Sequence, residues 1–176
     1  MANCITLSNG RKLPCKGGSG GFKAVSFLPF SEGIVSGTLG EVATLGVGIT
    51  AVYRYELKNT GNTWVEEIAT DADARTITYN GTLSVVLNKL DLTTRNEIKM
   101  LAMGEVIVFL ETYNGQVIVL GAESGATLSG GTSESGGAKT DFYGSKLTFS
   151  YSESEPYLQL ATAAKATYAG IVVEGV

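Results

Sequence analysis

The chain contains no histidine, and that absence closes several routes to chemistry. Ser-His-Asp and Cys-His triads, histidine zinc sites and histidine general bases are all excluded. Cysteine is limited to Cys4 and Cys15, too few for a Cys4 metal site or a disulfide-dense scaffold. Positive charge is also scarce. Thirteen Lys and Arg stand against 17 Asp and Glu, for a net charge of −4, the reverse of what a phosphate-neutralising protein carries. No uninterrupted apolar run approaches the ~18 residues of a membrane span. The longest, Val106 to Leu110 and Val117 to Leu120, are strand-sized. The opening residues lack the basic and apolar regions of a secretory signal.

What is present is apolar enough to fold: 176 residues, one domain by size, with 44% hydrophobic residues. Three prolines and 23 glycines imply many turns. The dominant period is two, which predicts antiparallel strands. Val47, Ile49, Ala51, Tyr53, Tyr55 and Leu57 share one face of a strand from Val47 to Lys58, with Val52 the exception on the other. Leu147, Phe149 and Tyr151 alternate with polar neighbours in the same way. Asn9-Gly10, Asn80-Gly81 and Asn114-Gly115 each suit a two-residue type I′ hairpin turn. They predict pairing of Thr76–Tyr79 with Thr82–Leu87, and of Glu105–Tyr113 with Gln116–Leu120. Asn59 to Asn62 reads as a longer turn. One helix is predicted over Asp91 to Met103, capped by Asp91 or alternatively by Thr94 with Glu97 at capping-box spacing, with Ile98, Leu101 and Ala102 as its apolar stripe. Segments 16–21, 31–46 and 121–139 read as irregular, the last two as long loops in a single domain over 1–176.

Each chemical motif has a plainer explanation beside it. Gly17-Gly18-Ser19-Gly20-Gly21 is glycine-rich, but Phe22-Lys23 does not complete a phosphate loop. A two-residue turn at Asn9-Gly10 would set Cys4 opposite Cys15, within disulfide range. A chain without an export signal keeps such a pair reduced by default, so both states stay open. Glu66 and Glu67 are adjacent and would point to opposite faces of a strand. Asp71-Ala72-Asp73 lacks the glycine and closing glutamate of a calcium loop and reads as turn carboxylates. Nothing selects a catalytic pair, a metal set or a cofactor, so no enzyme, metal or cofactor is expected. Trp64 with neighbouring tyrosines is the one candidate platform for a carbohydrate-binding module.

Several phrases together carry a family likeness: Asn3-Cys4-Ile5-Thr6-Leu7-Ser8-Asn9-Gly10 with Leu13-Pro14-Cys15, then Gly20-Gly21-Phe22-Lys23-Ala24-Val25. The central block Leu87-Asn88-Lys89-Leu90-Asp91, Arg95-Asn96-Glu97-Ile98-Lys99 and Leu101-Ala102 adds to it, as do the Asn114-Gly115 hairpin, Leu120-Gly121 and Leu147-Thr148-Phe149. To about Leu160 the chain resembles the major tail tube proteins of long-tailed bacteriophages that infect Bacteroidetes. The resemblance implies an antiparallel β-sandwich or barrel of two packed sheets with one flanking helix. It implies hexameric rings that stack into a tube in the virion tail, assembled in the host cytoplasm beside other tail proteins. Double-stranded DNA would pass through without sequence-specific binding, a task that suits a net negative chain, and no membrane insertion is implied.

Two residue sets follow as expectations. Ile34, Val35, Leu39, Val42 and Leu45 would make inter-subunit contacts from the glycine-rich segment. Glu105, Glu111, Thr112 and Gln116 would face solvent or the lumen. Residues 161–176 read as a C-terminal extension. Other ring-forming virion components, such as a head–tail connector, a tail terminator or a capsid decoration protein, share this profile.

Overall fold

A computed structural model describes residues 9–31, 34–35, 37–46 and 48–175. Its elements are β1 (Phe22–Pro29), β2 (Glu41–Val42), β3 (Val52–Glu56), β4 (Thr63–Asp71), β5 (Thr76–Asn88), α1 (Leu92–Leu101), β6 (Glu105–Thr112), β7 (Val117–Leu120), β8 (Ala126–Ser135), β9 (Tyr143–Glu153), β10 (Leu158–Leu160), α2 (Thr162–Ile171) and β11 (Val172–Glu174). The fold is mainly β, as the period-two pattern predicts, with packed sheets and a flanking helix, as the resemblance implies.

The strands run in the order β11-β3-β1-β6-β8-β9-β5-β4, with β7, β10 and β2 branching from β6. The β6–β8 link is only Glu105↔Thr127 and Val106↔Ala126. It therefore works as a corner between two sheets, one built on β3, β1, β6 and β7, the other on β8, β9, β5 and β4. The chain turns this corner at Gly121 and Gly125, both at positive φ (70° and 79°). A side chain at Gly125 would press on Cβ of Glu105 at 2.8 Å, so the corner needs glycine for conformation and for space.

Between the sheets lies the first core, with Val25, Phe27, Leu83, Val85, Val108, Leu110, Leu120, Leu147 and Phe149. Behind the first sheet lies a second core of Leu28, Val42, Val52, Ile107, Phe109, Val119, Leu160, Ala164 and Tyr168. β6 feeds both, sending Val108 and Leu110 forward and Ile107 and Phe109 backward. A strand buried on both faces needs an uninterrupted apolar run, which explains Val106 to Leu110. The expected helix forms as α1. The Asp91 carboxylate accepts the N–H of Thr94, and Ile98 and Leu101 pack on the first core. Ala102 is exposed and outside that stripe.

Several expectations are corrected. Asn80-Gly81 is no turn. β5 runs straight through it, pairing Asn80 with Glu67 and Ser152, and Gly81 with Glu66 and Tyr151. A Cβ on Gly81 would overlap the ring of Tyr151, so glycine serves close aromatic packing there. The Asn114-Gly115 hairpin does form. Its loop holds three residues, Thr112 and Gln116 close it, and only Gly115 takes positive φ, at 77°. That is the bulged form of the turn, so type I′ is wrong there. Segment 121–139 is mostly strand, because β8 pairs along the length of β9. Of the strand expected from Val47 to Lys58, only Val52–Glu56 forms, and Val52 is the buried member. Two pairings, β11 with β3 and β10 with β2, are parallel. Residues 161–176 are no appendage: α2 and β11 close the second core. Residues 9–21 hold no strand, Cys15 is exposed, and Cys4 with its expected pairing lies outside the described residues.

Candidate functional site

Three places on the molecule gather polar side chains or leave backbone unpaired. The first lies where the tip of the β6–β7 hairpin meets α2, around a cavity of about 330 Å³ lined by Lys23, Arg54, Glu111, Lys165, Tyr168 and Glu174. Arg54 Nε donates to Glu111 Oε1 at 3.0 Å, and Arg54 Nη1 donates to Glu56 and Glu174 at 3.0 and 3.2 Å. Burial works against the Arg54 charge. Hydrogen bonds to Glu111 and Glu56 outweigh it, and its pKa is raised. Tyr168 donates to Glu111 at 3.1 Å, so its single proton is committed and Ser26 Oγ, 2.7 Å away, donates to Tyr168. Burial pushes the Tyr168 hydroxyl well above its ordinary value. Lys23 sits 3.6 Å from Glu111, and Lys165 Nζ donates to the Gly115 carbonyl at 3.0 Å. The charges here satisfy one another. The cluster pins α2 and β11 against the first sheet.

The second cluster stands at the base of the β4–β5 hairpin. Trp64 Nε1 donates to Tyr151 Oη at 3.0 Å, and Tyr151 donates to Glu66 at 2.8 Å. Glu66 also accepts the N–H of Tyr157 at 3.2 Å, and the Trp64 and Tyr157 rings meet edge to face at 5.0 Å. Trp64 is thus committed inside the fold, which contradicts its role as an exposed carbohydrate platform. Glu66 and Glu67 do lie on opposite faces, and Asp71 accepts the N–H groups of Ala74 and Asp73, as a turn carboxylate does. Those bonds hold the Asp71 carboxyl below its usual range.

The third place is the second sheet's perimeter. β4 ends the strand order, so its outer edge is unpaired among the described residues. β8 contacts β6 only at its first two residues, which leaves the edge from Gly130 to Ser135 open as well.

Of the expected inter-subunit residues, Val35 and Val42 are buried in the chain's own second core, with Ile34 and Leu45 packed against it. That burial removes the need for a neighbour to cover them. Leu39 differs: it is fully exposed (102%) at φ 55° beside Gly40 at φ 82°. Thr38 and Glu41 exchange both backbone hydrogen bonds around that pair, so this turn has the type I′ signature expected of Asn-Gly. Of the expected solvent-facing set, Glu105 and Gln116 are exposed, and Thr112 is spent on its own turn through Gln116. Glu111 is not lumen-facing: it is the hub of the Arg54 cluster and nearly buried. The sequence reading missed Arg54 and Tyr168. An arginine inside an apolar strand and the Ala164/Tyr168 spacing on an alanine-rich segment were the available signals.

Among the described residues no group of three potential metal ligands converges, and no helix is long and apolar enough to cross a membrane. No protein-family model matches the chain, and neither a curated protein nor a solved structure matches it significantly.

Proposed function

We propose that the chain is a structural virion protein, the protomer of hexameric rings that stack into a phage tail tube and conduct the genome. The ring number and the tail setting rest on the resemblance given above. One observation carries the self-assembly: among the described residues the second sheet is open on both sides, and its four strands alternate in direction. With an even count, β8 of one copy and β4 of the next are antiparallel when copies are related by rotation about an axis along the strands. Repetition then extends one fully antiparallel sheet, and closure into a ring removes both edges of that sheet. β4 offers nine residues, roughly 30 Å of unpaired backbone, for that contact.

Leu39 supports the same reading. A leucine at positive φ costs about 1 kcal/mol and gains nothing from solvent. Burial against a neighbour would offset that cost. The net charge of −4 suits a channel that repels DNA phosphates. The test is negative-stain microscopy of the purified protein over a concentration series, beside its mass in solution. Rings with a central channel that stack into tubes are the expected result, with stacking reduced in Leu39→Asp. Single rings that never stack would move the protein to a connector or terminator role. A monomer at every concentration would sink the proposal.

A further inference from the structure

The two ends of β5 carry opposite kinds of surface. At its start, the β4–β5 hairpin overshoots β9, whose last pairing is Tyr79↔Glu153. At that point and beyond it Ile68 and Ile77 stand 62% and 56% exposed on the core-facing side of the hairpin, with no described element over them. Asp71 and Asp73 lie in the turn beside them, against Arg75 alone, and Glu66 on the same face is spent on Tyr151 and Tyr157. At the other end of β5 sits α1. Its inner face is spent on the core through Ile98 and Leu101. Its outer face is a second stripe at helical spacing: Leu92, Arg95, Lys99 and Met103. Leu92 and Met103 are 67% and 74% exposed, and no acidic residue interrupts the stripe.

We propose that the tip of the β4–β5 hairpin docks on the outer face of α1 in a second copy of this chain, head to tail. An apolar tip with excess negative charge meets an apolar stripe with positive charge. Among the described residues neither meets this complement within its own chain, because they stand at opposite ends of β5, a strand of twelve residue steps or about 40 Å. Patches that complement each other from opposite ends of one molecule form a heterologous contact, and such a contact propagates along the strand direction. This runs across the edge-to-edge direction of the ring. The contact rests on the self-assembly reading and supplies its stacking step.

Charge exchange tests it. Arg95→Glu with Lys99→Glu, and separately Asp73→Lys, should leave rings intact and raise the concentration needed for stacking roughly tenfold or more, about 1.4 kcal/mol per tenfold. Combining all three changes in one chain should restore stacking. As a second measurement independent of those variants, Ile77→Cys and Met103→Cys chains, each also Cys4→Ser and Cys15→Ser, are mixed and oxidised. A cross-linked dimer is expected. Stacking of the charge variants at wild-type concentrations, or no cross-link, overturns the contact and leaves the ring standing. A wild-type protein that never forms rings overturns the ring reading, and this contact with it.

Discussion

Gly81 sits beneath the Tyr151 ring, and that ring holds Trp64 on one side and Glu66 on the other. A methyl at this position must displace the ring and both hydrogen bonds. Gly81→Ala should therefore cost about 1–3 kcal/mol in denaturant unfolding, while Gly130→Ala, which meets open space, should be close to neutral. Glu153 gives the opposite kind of residue effect. It is buried, its carboxylate accepts the Glu123 N–H at 2.7 Å, and burial, helped by the nearby charges of Glu123 and Glu66, raises its pKa above the ordinary 4.5. The folded state then keeps a proton that the unfolded chain has released. Stability contributed by this group is present at acid pH and lost as pH rises through the folded pKa. Glu153→Gln, which still accepts from Glu123, should raise the melting temperature at pH 7 by about 1–3 °C and leave it unchanged near pH 4. A gain of equal size at both pH values would show that packing, not ionisation, is responsible.

At the scale of elements, legibility followed the strength of the local pattern. α1 could be read because its cap, its stripe and its length agree, and Leu147-Phe149-Tyr151 because its alternation is clean. β8 could not, since Thr127, Ser129 to Ser135 and their glycines carry no apolar alternation; pairing with β9 makes that segment a strand. Asn80-Gly81 has the local signature of a turn, and neighbours on both sides override it. α2 was readable in principle from its alanines, which favour helix. Its importance is tertiary: Ala164 and Tyr168 cover Phe109, whose ring lies 5.3 Å from that of Tyr168. Ending the chain at Ala161 should therefore expose the second core along β6 and β7. The truncated protein is expected to be insoluble or to bind a hydrophobic dye strongly, and full solubility with unchanged melting would contradict the assignment of α2 to the core. The candidate surface was less legible than the fold. Apolar residues in 31–46 look alike in sequence, and only the fold separates Val42, fully buried, from Leu39, fully exposed.

For the whole molecule, the account turns on sheet edges. The first sheet ends in a strand of only three residues: β11 adds to β3 in parallel, and Arg54 ties Glu174 to that edge. The second sheet ends in longer edges, at β4 and along the second half of β8, both unpaired among the described residues. Natural proteins ordinarily blunt such edges, and two of them with compatible strand direction support the proposed partner of the same kind. Backbone amide hydrogen exchange, compared between dissociated and assembled protein, tests this most directly. The account predicts that amides of Thr63–Asp71 and of 130–135 exchange quickly in the dissociated chain and become strongly protected on assembly, while those of β3 and β11 change little. Assembly that leaves both edges exchanging as in the free chain would contradict it.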